Sequence, residues 1–311
     1  MYEVDVAIVG AGAAGLSLAH RLSAPRFRTR PRTVALIDAP PGPLRPPRRT
    51  WCFWEPGPGR FDAAVTASWQ RLRTRPRTGA PVEGDIAPLR YKMIRSDAFE
   101  ALVAGQLASH PAVRRLEATV EAVEDSHLGA RVHLRDDQDR PRVLRARWVF
   151  DSRPLDSLPA ARTTLLQHFH GCFVRTSRPA FDPATADLMD FRTPQPARGL
   201  SFGYVLPLTP HEALVEYTEF SPQVLTPTQY EAAVRHYATA VLGLGELEVV
   251  STETGVIPMT DAPLTRQTGA SVFRIGAAGG ATRPATGYTF AGLQRQTRAV
   301  AAALHQGRRP V

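Results

Sequence analysis

The sequence predicts an α/β fold in which a β-α-β unit with a glycine-rich turn is separated from its closing strand and helix by a strand-rich insert. Residues 3–9 are an almost unbroken apolar run, a glycine-rich turn follows at 10–15, and a second apolar run over 33–37 ends at Asp38. Continuous apolar runs of this length are typical of strands buried in a parallel sheet. A chain of 311 residues is long enough for two domains.

The rest of the chain supports this order of elements. Strand-like runs dominate from Leu165 to Val250, and residues 271–275 then return to an apolar strand that leads into a second glycine-rich turn and a last helix. We therefore predict a discontinuous cofactor domain formed by residues 1–160 and 256–311, with a substrate-binding insert over residues 161–255.

The other elements follow from the periodicity of apolar residues. In chain order they are a helix ending near Leu22, an irregular proline- and aromatic-rich loop from Ala39 to Pro58, a helix from Arg95 to Ala108 with Ser96 as its N-cap, a hairpin from Val120 to Leu134, a short strand from Arg147 to Phe150, strands at His168–Val174, Leu200–Leu206 and Ala213–Thr218, a helix from Thr228 to Leu242, and a final helix from Ala291 to His305.

The first glycine-rich turn has the pattern of a dinucleotide-binding site. Gly10 permits a tight turn, Gly12 lets the backbone approach a pyrophosphate, and Gly15 lets the helix pack closely on the strand. The helix that starts near Ala13 and Ala14 directs its N-terminus at the phosphates. A turn that binds nothing is the alternative, and the complete strand-turn-helix context argues against it.

The choice of cofactor depends on two further features. Asp38 lies 23 residues beyond Gly15 at the end of the second strand, where a carboxylate accepts hydrogen bonds from ribose hydroxyls and disfavours a 2′-phosphate. The first turn alone does not separate FAD from NAD. The second turn favours FAD, because a long cofactor is bound again near its flavin end; its glycines are Gly276, Gly279 and Gly280.

Composition excludes several other classes of protein. The net charge is +9, but the basic residues other than Lys92 are scattered arginines without a nucleic-acid-binding module, so no nucleic acid is expected. Cys52 and Cys172 are too few for a disulfide framework and lack metal-ligand spacing, which favours a reducing cytoplasm and no metal. Without a signal peptide or an 18-residue apolar run, any membrane contact is expected to be peripheral.

Two groups of residues have alternative interpretations. His168 and His170 share one face of a strand without a third ligand, and are interpreted as packing or polar lining residues rather than as metal ligands. A run of arginines either attracts anionic lipid, at about 1 kcal/mol per residue near a charged membrane, or is an ordinary solvated face. This run consists of Arg71, Arg73, Arg75 and Arg77.

Nine runs, in order along nearly the whole chain, resemble the flavin-dependent lycopene cyclases of bacteria and plants. They are Thr50–Trp54, Tyr91–Asp97, Val149–Pro154, Gln167–Gly171, Leu188–Arg192, Tyr204–Pro207, Ala213–Thr218, Gly255–Thr260 and Pro284–Phe290. The resemblance implies a Rossmann-like FAD-binding domain of the glutathione-reductase type. It also implies a redox-neutral reaction that closes β-ionone rings on lycopene, giving γ-carotene and β-carotene, with FAD reduced by NADPH.

The resemblance further implies the setting and the contacts of the site. The substrate is lycopene or a related linear carotenoid, the protein is cytoplasmic and peripherally associated with the inner membrane, and other carotenoid-pathway enzymes are further partners that it allows. Arg95, Asp151, Thr286 and Gly287 are expected to bind FAD. Two alternatives remain: Asp151 with Arg153 closes the flavin domain, and residues 286–287 form only an ordinary helix N-terminus.

The resemblance places the family's essential acid, which lies in a Glu-x-Thr run, at Glu216. A carboxylic acid could protonate the terminal 1,2 double bond of lycopene, giving a tertiary cation at C1 that the 5,6 double bond attacks before C6 loses a proton. Burial would keep such a carboxyl protonated beforehand. As an alternative, Glu216 is an exposed strand residue, since Glu212 and Glu219 lie nearby.

Several expectations stay open. The aromatic residues Trp51, Phe53 and Trp54 either stabilise the cation and line a carotenoid channel or simply pack, and Asp261 belongs either to a turn or to the active site. The second glycine-rich turn lacks the family's usual acidic residue, so backbone amides must replace it. We also expect the family to continue with further helical sequence after the last helix.

Two other functions compete with the cyclase. An FAD-dependent oxidoreductase or monooxygenase acting on an isoprenoid would consume NADPH in proportion to product. A non-catalytic carotenoid- or flavin-binding protein would bind FAD without needing Glu216.

Overall fold

The computed structural model describes residues 3–23 and 32–310. In chain order their elements are β1 (Val4–Val9), α1 (Ala13–Ser23), β2 (Val34–Asp38), β3 (Thr50–Pro56), β4 (Val65–Trp69), β5 (Arg71–Arg75), β6 (Val82–Asp85), β7 (Leu89–Arg95), α2 (Ser96–Leu107), β8 (Val113–Glu117), β9 (Thr119–Ser126), β10 (Gly129–Arg135), β11 (Pro141–Asp151), β12 (Thr164–Thr176), β13 (Thr185–Asp190), β14 (Leu200–Pro207), β15 (Glu212–Ser221), α3 (Pro227–His236), β16 (Leu247–Thr260), β17 (Val272–Arg274) and α4 (Phe290–His305).

The first sheet contains seven strands in the order β8-β2-β1-β11-β10-β9, with β17 also paired to β11. β1 runs parallel to both β2 and β11, and all of its residues except Asp5 are buried. Val6 and Ile8 pack in the core that includes α1 and α4, whereas Val4 and Ala7 pack in the core on the other face. This arrangement confirms the predicted α/β fold, and the sheet is completed by a strand from the end of the chain.

The second sheet also contains seven strands, in the order β16-β12-β15-β14-β13-β5-β6. β12 pairs antiparallel with both β15 and β16, so the central part of this sheet is held by long ladders. Val215 and Tyr217 of β15 pack toward α3, whereas Leu214 packs toward a third, three-stranded sheet of order β3-β7-β4. Alternate side chains of β15 therefore lie on opposite faces of the sheet, one facing α3 and the other facing the third sheet.

Two local predictions between residues 39 and 108 are wrong. The expected loop from Ala39 to Pro58 contains β3, which pairs along its whole length with β7. Ser96 is the first residue of α2 rather than its N-cap, and its hydroxyl oxygen instead accepts a hydrogen bond from the Arg49 amide at 3.0 Å. The proline- and aromatic-rich composition did not indicate a strand here, because the strand's partner lies about 40 residues later in the chain.

The predicted divisions of the chain also differ in detail from the observed elements. The boundary placed between residues 255 and 256 falls inside β16, and β5 and β6, from the first 160 residues, pair in the second sheet. The helix predicted over 228–242 consists of α3 followed by a π-helical turn at 237–241. The second sheet therefore takes strands from more of the chain than the predicted insert.

The close contact between β1 and α1 gives a prediction about stability. Gly15→Ala should lower the free energy of unfolding by about 1–3 kcal/mol, the usual cost of overpacking. The added Cβ would collide with the Gly10 carbonyl oxygen, which belongs to the backbone, and would lie 3.2 Å from Cγ2 of Ile8.

Gly105→Ala is the matched control, because Gly105 is exposed in α2 and an added Cβ meets nothing within 4 Å. This change should raise the free energy of unfolding by about 0.5–1 kcal/mol through helix propensity. Denaturant titration followed by circular dichroism measures both, and equal stabilities of the two variants would contradict the packing argument.

Candidate active site

The first glycine-rich turn has the backbone geometry of a nucleotide-binding turn. Gly10 has a φ of +91°, a left-handed conformation that favours glycine. Gly15 allows α1 to approach the turn closely, whereas a Cβ on Gly12 would meet nothing within 4 Å. The open space at Gly12, before the N-terminus of α1, fits a pyrophosphate bound by backbone amides.

Asp38 ends β2 beside this turn. Its Oδ1 accepts a hydrogen bond from the Ala11 amide at 3.0 Å, and its Oδ2 lies 3.5 Å from the Arg45 guanidinium. The carboxylate is therefore held next to the glycine-rich turn, in the position that a contact with a ribose requires.

The second glycine-rich turn adjoins the first. A Cβ on Gly276 would lie 3.0 Å from the Cβ of Ala14, so this turn packs against the first turn of α1. Gln296 of α4 accepts a hydrogen bond from the Gly276 amide and donates one to the Gly279 carbonyl, both at 2.8 Å. Gly280 has a φ of +76°. Two turns far apart in sequence thus form adjacent walls, as one extended cofactor would require.

The end of β11 is tied to the same turn. The Ser152 hydroxyl, which sequence reasoning did not single out, donates to the Val9 carbonyl at 2.7 Å. Asp151 pairs with the Arg153 guanidinium at 2.8 Å, and Arg153 also donates to the Val120 carbonyl at 2.9 Å. These contacts favour the alternative in which Asp151 and Arg153 close the first sheet.

Glu216 lies on the face of β15 that is turned away from α3, and only 9% of it is exposed. Burial, followed by the negative charge of Glu253, raises the pKa of Glu216 to about 8, although a hydrogen bond from the Thr218 hydroxyl at 2.7 Å acts in the opposite direction. The interpretation of Glu216 as an exposed strand residue is therefore wrong. At neutral pH this carboxyl retains its proton.

Glu216 faces a pocket of about 120 Å³ between the second sheet, the third sheet and the turn before α4. Most of the wall is aromatic or aliphatic, including Trp51, Phe169, Tyr204, Leu214 and Phe290. An apolar wall around a carboxyl disfavours the ionised form and limits the access of water.

Three tyrosines add neutral hydroxyl groups to this wall. The hydroxyl oxygens of Tyr91 and Tyr288 lie 3.1 Å apart. Burial raises the pKa of Tyr288 to about 12 and raises the pKa values of Tyr91 and Tyr204 well above their ordinary value. All three therefore stay protonated and uncharged around Glu216.

The turn before α4 brings Thr286 and Gly287 to the same pocket. Gly287 has a φ of +70°, and a Cβ there would collide with the Gln167 side chain. Among the described residues, Oγ1 of Thr286 and Oε1 of Gln167 are buried without a hydrogen-bond partner. Buried polar atoms of this kind are normally satisfied, so they fit the edge of a bound ligand.

The other predicted residues are more dispersed. Arg95 lies over the Phe173 ring, with its Cζ 4.5 Å from the ring centroid. Asp261 accepts hydrogen bonds from the Arg162 and Thr163 amides, each at 3.0 Å, which favours its interpretation as a turn residue.

The two histidines have polar partners other than a metal. His168 is fully buried between the Tyr230 and Ser221 hydroxyls, and His170 lies 2.8 Å from the Thr254 hydroxyl. Residues 3–23 and 32–310 contain no group of three or more potential side-chain ligands that could hold a metal ion.

The three aromatic residues predicted to act together are divided between two cavities. Trp51 lines the Glu216 pocket and stacks on Phe290 with a centroid separation of 5.7 Å. Phe53 and Trp54 line a separate groove of about 450 Å³ beside α4. Of these three residues, only Trp51 lines the Glu216 pocket directly.

Glu253 is the residue of the pocket that sequence reasoning missed. It is partly buried in β16, and its Oε2 accepts a hydrogen bond from the Thr50 hydroxyl at 2.7 Å. It lies just before the quoted run Gly255–Thr260, and only the pairing of strands from distant parts of the chain brings it near Glu216.

Residues 5–310 match the family model described as lycopene cyclase protein. The chain belongs to the lycopene cyclase family. The match confirms the resemblance drawn from the nine sequence runs, whereas no curated protein sequence gives a match.

Solved structures share the fold of this lycopene cyclase family member. A geranylgeranyl bacteriochlorophyll reductase-like protein from Thermoplasma acidophilum has a TM-score of 0.75 and 15% identity, covering 98% of this chain and 78% of its own. The p-nitrophenol 4-monooxygenase of Pseudomonas putida DLL-E4 has a TM-score of 0.72 and 15% identity, covering 99% and 81%. Aklavinone-11 hydroxylase, in a complex with FAD and aklavinone, has a TM-score of 0.68 and 16% identity, covering 98% and 62%. These similarities confirm the Rossmann-like α/β fold.

In the described part of the chain, no helix is both long enough and apolar enough to cross a membrane.

The raised pKa of Glu216 predicts how stability depends on pH. Between its ordinary pKa of 4.5 and the folded-state value of about 8, the folded protein keeps a proton that the unfolded chain releases. The free energy of unfolding should therefore fall with rising pH in this range, by up to about 1.4 kcal/mol per pH unit from this group.

Denaturant titrations at pH 5, 6, 7 and 8 measure this slope. Glu216→Gln should remove this contribution to it, whereas Glu246→Gln, at an exposed position before β16, should retain the wild-type slope. The same slope in wild type and Glu216→Gln would show that Glu216 does not hold its proton in the folded state.

Proposed function

We propose that this protein is a lycopene β-cyclase, which closes the ψ end groups of lycopene to β-ionone rings without net redox change. The observation that carries the proposal is the protonated carboxyl of Glu216 in an apolar pocket, next to the turn at residues 286–287. A family member with such a group has the acid that protonation of an alkene requires.

In this reaction Glu216 donates its proton to the terminal 1,2 double bond of the substrate. The positive charge forms at C1, the 5,6 double bond attacks it, and loss of the proton from C6 completes the ring. The Thr218 hydroxyl, which donates to Oε1 of Glu216, orients the carboxyl. Trp51 lines the same pocket, and an aromatic ring attracts a cation placed against its face.

FAD, with NADPH as its reductant, is the cofactor we propose for this chain. The residues fit it: the open space at Gly12, Asp38 beside the turn, the second turn against Ala14, and the unsatisfied Thr286 and Gln167 oxygens. Reduced FAD would supply negative charge near the developing cation, a form of electrostatic stabilisation.

We further propose that the protein works at the cytoplasmic surface of the inner membrane, where lycopene and other carotenoid-pathway enzymes would be encountered. The run of arginines at 71–77, three of which lie in β5, gives less support to membrane attraction than the sequence suggested. Arg73 and Arg75 pair with the buried Asp187, and Arg71 lies 3.7 Å from Glu83. Much of its charge is therefore balanced within the protein.

Expression in a lycopene-accumulating bacterium tests the activity. Wild type should convert lycopene into cyclised pigments of unchanged mass, whereas Glu216→Gln should lose at least about 10²-fold in turnover, since the amide cannot act as the acid. Glu219→Gln is the matched control, because Glu219 is a buried carboxyl on the opposite face of β15, bonded by the Tyr217 hydroxyl.

Chromatography with mass spectrometry separates the outcomes. Cyclised pigment from wild type and Glu219→Gln, but not from Glu216→Gln, supports the cyclase. Hydroxylated or hydrogenated pigment would instead establish an FAD-dependent oxidoreductase or monooxygenase acting on an isoprenoid. Full turnover by Glu216→Gln would reject Glu216 as the acid.

A further inference from the structure

The strand register brings a second carboxyl group to Glu216. Gly171 of β12 pairs directly with Glu216 of β15 on one side and with Glu253 of β16 on the other. Directly opposed residues of antiparallel strands project from the same face, and neighbouring strands are about 4.8 Å apart. The two glutamates therefore flank one residue on the same face of the sheet.

Because Gly171 has no side chain, the side chains of Leu214 and Glu216 occupy the space above it. A Cβ at this position would lie 3.4 Å from Oε2 of Glu216 and 2.9 Å from Cδ1 of Leu214. The Glu216 carboxyl thus leans over Gly171, in the direction of β16. Both glutamates line the same pocket.

We propose that Glu253 is the base of the proposed cyclisation: it accepts the proton that leaves C6 and returns it to Glu216 across Gly171. This inference rests on the proposed function. The protons balance. Glu216 gives one proton to the alkene, Glu253 receives one from C6, and transfer between the two carboxyl groups restores the starting state. No oxidant or reductant is consumed.

The surroundings of the two carboxyl groups assign them opposite roles. Glu253 accepts hydrogen bonds from both the hydroxyl and the amide of Thr50, and the positive charges of Arg95 and Arg49 also favour its ionised form. Burial is the largest influence and raises the pKa of Glu253 above its ordinary value, and these four contributions oppose it. Glu216 has only the Thr218 hydroxyl to stabilise its charge. Paired groups whose environments differ in this way act as acid and base.

The other ionisable groups near the pair do not compete for the proton. Burial raises the pKa values of Cys52, Tyr91, Tyr204 and Tyr288, so these groups are neutral at neutral pH. The two glutamates are therefore the acidic groups of the pocket that can change charge near neutral pH.

The first experiment titrates Glu216 directly, by carbon NMR of the full-length protein with ¹³C-labelled glutamate, with Glu216→Gln used for assignment. In Glu253→Gln the midpoint of Glu216 should move to lower pH by about one unit, because a neighbouring negative charge is removed. Glu248→Gln is the control, since Glu248 is exposed on the same strand and pairs with Arg175. An unchanged midpoint in Glu253→Gln would overturn the pair, whether or not the protein is a cyclase.

The second experiment measures lycopene turnover against pH. Glu253→Gln should lower turnover at least about 10²-fold and move the alkaline limit of activity to lower pH, whereas Glu253→Asp should restore the charge and part of the turnover. Glu248→Gln should match wild type. Turnover by Glu253→Gln within twofold of wild type would overturn the role as base. If wild type leaves lycopene unchanged, the proposed function fails and the titration still decides the pair.

Discussion

The burial of one carboxyl group is the constraint on which the site depends. Glu216 remains protonated because apolar walls replace water around it, and no single element could supply those walls. Trp51 comes from β3, Phe169 from β12, Tyr204 from β14 and Phe290 from α4. Their convergence requires the second sheet, the third sheet and the last helix to be in place, so the acidity of this one residue depends on elements from distant parts of the chain.

The same assembly joins the two candidate binding regions. Phe290 begins α4 and lines the pocket, while Gln296, less than two turns later, binds the second glycine-rich turn. Gln294 of the same helix donates to the Ser17 hydroxyl of α1. A ligand that moved α4 would therefore affect both the second glycine-rich turn and the pocket of Glu216. α4 thus connects the proposed cofactor site with the proposed acid.

Local patterns predicted the strand-turn-helix unit at the start of the chain well. The apolar run of β1, the turn at residues 10–15 and Asp38 each depend on neighbouring sequence, and their geometry agrees with the expectation. β3 was missed because its proline- and aromatic-rich sequence resembles a loop and its pairing with β7 is non-local.

Glu253 was missed for a related reason. Nothing near it in sequence distinguishes it from other polar residues of β16, and its position opposite Gly171 depends on the register of two long strands. Glu216 was found only through the family's Glu-x-Thr run, because alternation along a strand does not show which face is buried.

Several polar groups of the pocket are hydrogen-bonded to one another. A carbocation at C1 would be captured by any water within reach, and the product would then be an alcohol rather than a ring. Thr218 is bonded to Glu216, Thr50 to Glu253, and Tyr91 to Tyr288, so these side chains do not need solvent to satisfy them. An apolar wall whose polar groups are largely paired keeps the carboxyl of Glu216 neutral and, in the proposed cyclisation, would favour attack by the substrate's own double bond.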